Sequence, residues 1–420
     1  MRFLCILCVL FFATQPVAAY ERVSRALNYS VEQKHVDAIA PIGLSFGSFD
    51  FFPVFGVGEE FNDNTLKAEN LALDDFITHV APGFNLQSNW NRHQLALKVN
   101  SDLAFYAKHS GQDYRDVTVD FSGRLDVLKN SAFSLGTFFG ALHEERQSVD
   151  QQGAIEPTSY RLLDMDMAYK HQFNRFSVLG KFDVSRRDYD NVELITGAIR
   201  DNQDRNRWDY LPSVRLSYEI QPQFDAFINL RYTKIDYDQI NDRNGLERSS
   251  QGGDAVFGFA FDATGLITGD LALGYKYRAY DDFDLEDISG MTGWLSVEWR
   301  VTPLSTLYSK VTQDIGETTQ RGVSGSDNTS VTLGVEHELL RSLILKLDGG
   351  YTFMQYKGFD STIFNDERTE HRYFASLGGK YTFSRYLYMD LTYRFSARQS
   401  NRLLNDYDQN RVFLNFVARI

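Results

Sequence analysis

Cysteine is confined to the first eight residues of this 420-residue chain, and proline is scarce, with 8 in all. Because Cys5 and Cys8 lie in an apolar N-terminal stretch, the rest of the chain has no disulfide, thiolate metal site or thiol nucleophile. No later stretch is apolar for 18 residues, so we expect no membrane-spanning helix. The net charge of −13 offers no basic face and argues against a nucleic-acid partner.

The first 19 residues have the pattern of a secretory signal peptide. Arg2 supplies a positive start, residues 3–13 form an apolar run, and residues 17–19 are the small or compact residues of a cleavage site. The run is too short to span a bilayer, although an uncleaved anchor is the alternative. Residues 20–48 are weakly patterned, and we predict a periplasmic N-terminal segment with a partial helix at 30–39.

From Phe49 onward, apolar and polar residues alternate, which is the period of a β-strand. Aromatic residues make up 14% of the chain, which is typical of strands that need aromatic girdles at membrane interfaces. About eighteen segments share the pattern, and most are long enough to cross a membrane at a tilt. These predicted strands are residues 49–60, 74–89, 93–107, 114–128, 131–146, 158–173, 175–187, 207–220, 224–238, 250–263, 266–280, 290–302, 304–316, 328–340, 342–357, 369–383, 385–398 and 408–420.

The connections between these segments alternate between short and long. Bacterial outer-membrane barrels have short periplasmic turns and long external loops. The segment 408–420 keeps the alternation to its end, and a strand there needs a neighbour on each side. We therefore predict an all-β fold at residues 49–420, a transmembrane antiparallel up-and-down β-barrel of about 18 strands. A stacked array of soluble hairpins is the alternative, but it leaves the loop asymmetry unexplained.

Each predicted strand has one apolar face and one polar face. In the segment 290–302, Leu295 and Val297 belong to the apolar face and Ser296 to the polar one. A charge on the lipid face at the midplane would cost about 2–4 kcal/mol, so we assign the charges to the lumen. The predicted lumen-lining residues are Lys98, Asp102, Arg124, Asp126, Lys181, Asp183, Arg215, Arg231, Lys276, Arg278, Glu298, Arg300, Lys346, Asp348, Asp390 and Arg394.

These predicted lumen charges are of both signs, so the wall is not marked as an anion or cation filter. Cross-strand pairing that stiffens the wall and a hydrophilic conduit for a neutral or mixed-charge solute are compatible interpretations. Tyrosines such as Tyr106, Tyr280 and Tyr388 are candidates to hydrogen-bond hydroxyl groups and to stack on sugar rings.

Two segments resemble sites of chemistry only superficially. The sequence His143-Glu144-Glu145-Arg146 lacks the second histidine of a zinc-protease helix. The acidic loop at residues 281–287 lacks the glycine and the ligand order of an EF-hand, and we interpret it as a solvated loop. We expect no enzymatic activity, no catalytic residue, no metal site and no cofactor.

A series of short motifs runs through the first third of the chain. They are Gly47-Ser48-Phe49, Pro53, Glu60-Phe61-Asn62-Asp63-Asn64, Asp75-Phe76, Ala81-Pro82-Gly83, Leu86, Ser88-Asn89-Trp90, Arg92-His93, Tyr114-Arg115-Asp116, Gly123-Arg124-Leu125-Asp126 and Leu142-His143-Glu144-Glu145-Arg146. In this order they resemble the putative β-barrel porin type 2 family, which includes EpsL-like barrels encoded with exopolysaccharide export systems. Phe61 and Asn62 depart from the Tyr-Asp of the family's turn, and Ile420 departs from the usual terminal aromatic residue.

The resemblance implies an outer-membrane barrel of a Gram-negative bacterium and, in many members, polysaccharide secretion. The first expectation is therefore a polar conduit for export of an exopolysaccharide or capsular polysaccharide, working with a periplasmic polysaccharide export protein. The second is a general diffusion porin for small polar solutes, and the third is a structural or adhesive barrel with a blocked lumen. In each case we expect outer-membrane lipid and lipopolysaccharide as surroundings. A loop folded into the lumen would favour the porin, and residues 188–206 are the longest candidate.

Overall fold

The computed structural model describes residues 40–420 except 71, 147, 152 and 264. The predicted signal peptide and the predicted helix at 30–39 lie outside the described residues. The strands are β1 Leu44–Phe46, β2 Phe49–Asn62, β3 Asp75–Ser88, β4 Gln94–Tyr106, β5 Tyr114–Leu128, β6 Ser131–His143, β7 Ser159–Phe173, β8 Phe176–Tyr189, β9 Val192–Glu193, β10 Ile199–Arg200, β11 Arg207–Gln221, β12 Phe224–Tyr237, β13 Ser250–Ala263, β14 Ile267–Tyr280, β15 Ile288–Thr302, β16 Ser305–Glu317, β17 Gly325–Leu340, β18 Leu343–Lys357, β19 Thr369–Ser384, β20 Leu387–Ser400 and β21 Tyr407–Arg419. Three short 3₁₀ helices lie at Ser110–Gln112, Val149–Gln151 and Gln203–Arg205.

Eighteen of these strands form one closed antiparallel barrel, which confirms the predicted fold. All eighteen long strands lie where the alternation predicts them, and the bounds differ by at most a few residues. The largest difference is at β17, which begins at Gly325 rather than at 328. The first and last long strands, β2 and β21, pair from Val54↔Arg419 to Asn62↔Arg411, so the sheet has no open edge along this stretch.

Beyond the end of β21, the short strand β1 continues along the same side of β2. It pairs with β2 from Leu44↔Phe51 to Phe46↔Phe49 in a tight hairpin. The backbone N–H of Ile420 donates to the carbonyl of Pro53, so β1 and the end of β21 together cover this side of β2. Part of the predicted N-terminal segment therefore belongs to the barrel wall.

Short turns lie at one end of the barrel and long loops at the other. The turn between β7 and β8 has two residues, and Asn174 adopts a left-handed backbone with φ 53° there. Such a conformation suits Asn and matches the twist of the two strands. The connection between β8 and β11, by contrast, carries its own small hairpin of β9 and β10. The described residues contain no helix long and apolar enough to cross a membrane.

The ladder register fixes which residues share a face, because directly paired residues point to the same side of a sheet. One row of partners is charged or polar: Lys181, Ser213, Arg231, Asp254 and Lys276. The residues next to this row are large, apolar and exposed: Phe182, Val214, Leu230, Phe257 and Leu273, with 38–65% exposure. The apolar row therefore faces lipid and the polar row faces the lumen, as in outer-membrane barrels.

Candidate passage through the barrel

The inner wall is the first part of the candidate site. Following the register around the barrel places all sixteen charged residues that the alternation assigns to the lumen on the inward face. Outward-facing neighbours on the same strands, such as Met291 and Trp299 of β15, are exposed to 62% and 44%. Whether the inward residues act on a passing solute remains a prediction.

Ion pairs connect many of these inward charges. Arg231 bonds Asp254, its direct partner on β13, at 2.6 Å, and Lys346 bonds Glu336, its direct partner on β17, at 3.1 Å. Other pairs lie two residues apart on one strand: Arg124 with Asp126 at 2.9 Å, Lys181 with Asp183 at 2.6 Å, and Glu298 with Arg300 at 3.0 Å. The wall therefore presents charges of both signs that are largely held by each other.

Aromatic rings also lie on the inner wall, each over a glycine on the neighbouring strand. Phe227 is paired with Gly258, Tyr308 with Gly334, and Phe374 with Gly350. A methyl group on any of these glycines would come within 2.1–2.5 Å of a ring atom. The rings therefore lie over backbone that has no side chain, which stabilises the glycine positions and keeps the rings close to the wall.

Cations pack on several of these inward rings. The guanidinium carbons of Arg215 and Arg394 lie 3.5 Å and 4.1 Å from the ring centroids of Phe227 and Phe374. Of the three predicted tyrosines, Tyr388 is contacted by Lys380 at 4.4 Å and by Arg419 at 5.0 Å. The other two are less available, because Tyr280 is 8% exposed and Tyr106 packs against the cluster of Ile77, Ala104 and Tyr114.

The second part of the site is the loop between β6 and β7, residues 144–158, which we name the crossing loop. Its Asp150 carboxylate accepts a hydrogen bond from the Thr319 hydroxyl at 3.3 Å. The crossing loop joins the fifth and sixth long strands, and Thr319 lies between the thirteenth and fourteenth. The two loops thus begin on opposite sides of the barrel, so the crossing loop reaches across its mouth.

Further contacts place this loop over the lumen. Glu145 forms an ion pair with Lys67 at 2.9 Å and lies within electrostatic range of the inward residue Arg394 of β20. The longer loop at 190–206, the candidate from sequence, supports the crossing loop from one side. Ala154 forms a bridge to Leu194, and Arg200 donates to the Asp150 carbonyl at 2.7 Å.

The base of the crossing loop is the segment His143-Glu144-Glu145-Arg146, and each of its residues has a different partner. His143 Nδ1 lies 2.9 Å from the Asp116 carboxylate, and its ring stacks on Tyr114 at 3.8 Å. Arg146 Nε donates to Gln112 at 2.8 Å, and its Nη1 donates to the carbonyl of Ala154 at 2.9 Å. The segment that superficially resembles a protease motif is therefore a structural anchor.

Glu144 makes the strongest of these anchoring contacts. The Arg205 guanidinium donates to both of its carboxylate oxygens, at 2.6 and 2.9 Å, and Ser148 and Gln151 donate further bonds. Burial favours the neutral acid, but these donors outweigh it and hold the pKa of Glu144 below its ordinary value. Because the pKa is depressed by folding, the contact is fully stabilising above the unfolded pKa of about 4.3 and is lost as the pH falls through the folded pKa.

Sequence reasoning missed the crossing loop because its contacts join distant segments. Glu144 and Arg205 are 61 residues apart, and Asp150 and Thr319 are 169 apart. The available signal was the His143–Arg146 motif, whose charged residues follow directly on a strand. Among the described residues, no group of three or more His, Cys, Asp or Glu side chains is placed to hold a metal ion.

Comparison with solved structures shows the same type of barrel at low sequence identity. OpdK from Pseudomonas aeruginosa is 13% identical, with 88% of this chain and 99% of that chain covered and a TM-score of 0.44. OccK3 (OpdO) from the same organism is 14% identical, with 88% and 96% covered and a TM-score of 0.45. OccK9 (OpdG), also from that organism, is 11% identical, with 88% and 99% covered and a TM-score of 0.45. No curated protein matches the sequence significantly.

The family assignment comes from the sequence itself. Residues 37–420 match the family described as putative beta-barrel porin 2, which covers the whole barrel and confirms the resemblance seen in the first third. The proteins of this family are porin-type barrels of the Gram-negative outer membrane. With its closed 18-strand barrel, polar inner wall and long external loops, this chain is a member of the putative beta-barrel porin 2 family located in the outer membrane.

Proposed function

We propose that this barrel is an outer-membrane conduit for a saccharide chain, an exopolysaccharide or capsular polysaccharide that leaves the cell with the help of a periplasmic export protein. The observation that carries the proposal is the composition of the inner wall. Rings such as Phe227, Tyr308 and Phe374 lie over glycines between charges of both signs.

A sugar ring has C–H faces that suit aromatic surfaces and hydroxyl groups that need donors and acceptors. A wall with both kinds of group can accompany such a chain without holding it tightly at one point. Charges of both signs, held largely in pairs such as Lys181–Asp183, give little preference for an anion or a cation. An 18-strand barrel is also wide enough to enclose an aqueous channel.

The crossing loop sets a condition on this proposal. A polymer can pass only if residues 144–158 move away from the opposite side of the mouth, which requires the Asp150–Thr319 bond to open. That bond joins two loop side chains at 3.3 Å and contributes about 1 kcal/mol or less, so arrival of a chain or contact with a partner could open it.

The test is a clean deletion of the protein in its own host. Surface polysaccharide should be lost while growth on small nutrients stays normal, and the wild-type chain should restore export. A variant with a single inward charge neutralised, Arg231→Gln, should restore export almost fully, because the wall acts as a whole. Unchanged surface polysaccharide in the deletion strain would contradict the proposal.

The second candidate is a diffusion porin for small polar solutes, and the crossing loop is the observation that favours it. A loop across the mouth narrows the passage to the size of small molecules. In that case the deletion strain would keep its polysaccharide and take up small solutes more slowly. The same strain therefore separates the two candidates.

A further inference from the structure

Trp294 differs from the other three tryptophans in its position. It lies on β15 between the inward residues Thr292 and Ser296, whereas Trp299 of the same strand points outward and is 44% exposed. Thr292 is only 6% exposed, but Ser296 is open to the lumen. An indole on the inner wall of a polar channel is unusual, because lipid-facing girdles are the ordinary place for tryptophan in such barrels.

The Trp294 ring is held in one orientation. Its Nε1–H donates to the Asp270 carboxylate at 2.6 Å, a charge-assisted bond from β15 to β14. Its ring is nearly parallel to that of Phe227, with 16° between the planes and 6.0 Å between the centroids. Between the two rings lie the direct partners Gly258 and Ala272, and Ala272 is fully buried. The two rings and these small residues form one apolar platform.

Polar groups border this platform on the side of β16. Thr312 is the direct partner of Trp294, and Lys310 is the direct partner of Ser296. Asp270 lies within electrostatic range of both Lys310 and Arg215, and Arg215 packs on Phe227. The arrangement is a fixed aromatic face with hydroxyl and ammonium groups at its edge.

We propose that this platform is a binding subsite for a pyranose ring, with Trp294 stacking on the C–H face of the sugar. Ser296, Lys310 and Thr312 then hydrogen-bond the sugar hydroxyls, and Asp270 is a positioning residue that fixes the indole. The inference deepens the proposed function and rests on it for the direction and the polymeric nature of the cargo. Binding of a sugar ring does not depend on either.

The test uses the full-length barrel in planar lipid bilayers. The probe is maltohexaose added to either compartment, with polyethylene glycol of similar mass as a polymer that cannot stack. Maltohexaose should interrupt the ion current of the wild-type channel for longer than the glycol does. Trp294→Ala should shorten these interruptions about tenfold, the size expected for loss of one aromatic stack, and Trp294→Phe should keep part of them.

Matched variants separate stacking from general damage. Trp299→Ala removes an outward indole from the same strand and should leave the interruptions unchanged. Asp270→Asn retains an acceptor for the indole N–H and should behave nearly as wild type, whereas Asp270→Leu should resemble Trp294→Ala. A resistance to SDS before heating shows that each variant has formed its barrel.

The outcomes divide cleanly. Equal interruptions in wild type and Trp294→Ala, or none in wild type, would overturn the subsite. Interruptions that depend on Trp294 in a barrel whose deletion leaves surface polysaccharide unchanged would support the subsite and reject polysaccharide export.

Discussion

A charge placed at Leu295 should test the membrane assignment most directly. Leu295 is the eighth of the 15 residues of β15 and pairs with Leu271 and Val311, so it lies at the middle of an outward apolar row. An arginine on the lipid face at the midplane costs about 2–4 kcal/mol. Leu295→Arg should therefore lower the free energy of unfolding by about that amount, a factor of roughly 30 to 900 in the folding equilibrium.

The structure also predicts how this cost falls with depth. With about 3.3 Å per residue and a tilt near 40°, each residue moves about 2.5 Å along the membrane normal. Val297 then lies about 5 Å from the midplane and Trp299 about 10 Å from it, close to the edge of an apolar band about 25 Å tall. Val297→Arg should cost less than Leu295→Arg, and Trp299→Arg about 1 kcal/mol or less.

Ser296→Arg is the matched control, because Ser296 points into the lumen and its change should stay within about 0.5 kcal/mol. Urea titration of each variant folded into phospholipid vesicles gives the free energies of unfolding by linear extrapolation. If Ser296→Arg were as destabilising as Leu295→Arg, the assignment of the two faces would be wrong. A cost that did not fall from Leu295 to Trp299 would refute the argument from depth.

Two further predictions concern the loops. A tag inserted at Gly197, in the external hairpin next to Ile195 with 82% exposure, should bind antibody on intact cells, whereas a tag at Pro222 in the opposite turn should not; the reverse labelling would invert the topology. Acidification below about pH 4 should protonate Glu144, release it from Arg205 and raise single-channel conductance. Glu144→Gln should be more conductive already at pH 7 and lose this pH response, while Asp74→Asn, at an exposed carboxylate of another loop, should keep it; an unchanged response in Glu144→Gln would rule out this contact as the anchor.

The strands could be predicted from the sequence because a period of two is a local signal. The segment 250–263 is correct at both ends, since Ser250 follows a loop and Ala263 precedes a glycine turn. The faces follow from the same period, because one-residue shifts would place charges such as Lys181 in lipid. A barrel strand therefore carries most of its own structural information.

The candidate site was harder to predict, since its contacts join residues with no shared period. The crossing loop depends on partners in three other loops, and nothing near Glu144 identifies Arg205. Trp294 shows a different limit. Its inward position followed from the positions of Thr292 and Ser296, but a search for polar residues on that face passes over an indole.

The pairing of β2 with β21 has a consequence for how the protein is assembled. Every other ladder joins strands that follow one another along the chain, whereas this one joins residues 54–62 to residues 411–419. Such a contact is entropically the most demanding, so it should form after the neighbouring hairpins have already brought the two edges together. Until that moment, two unpaired edges are available to any other strand, including those of a second nascent barrel. Closure is therefore the step at which chaperones and the membrane insertion machinery have most to protect, and lesions in β21 should appear as misassembled protein rather than as an altered channel.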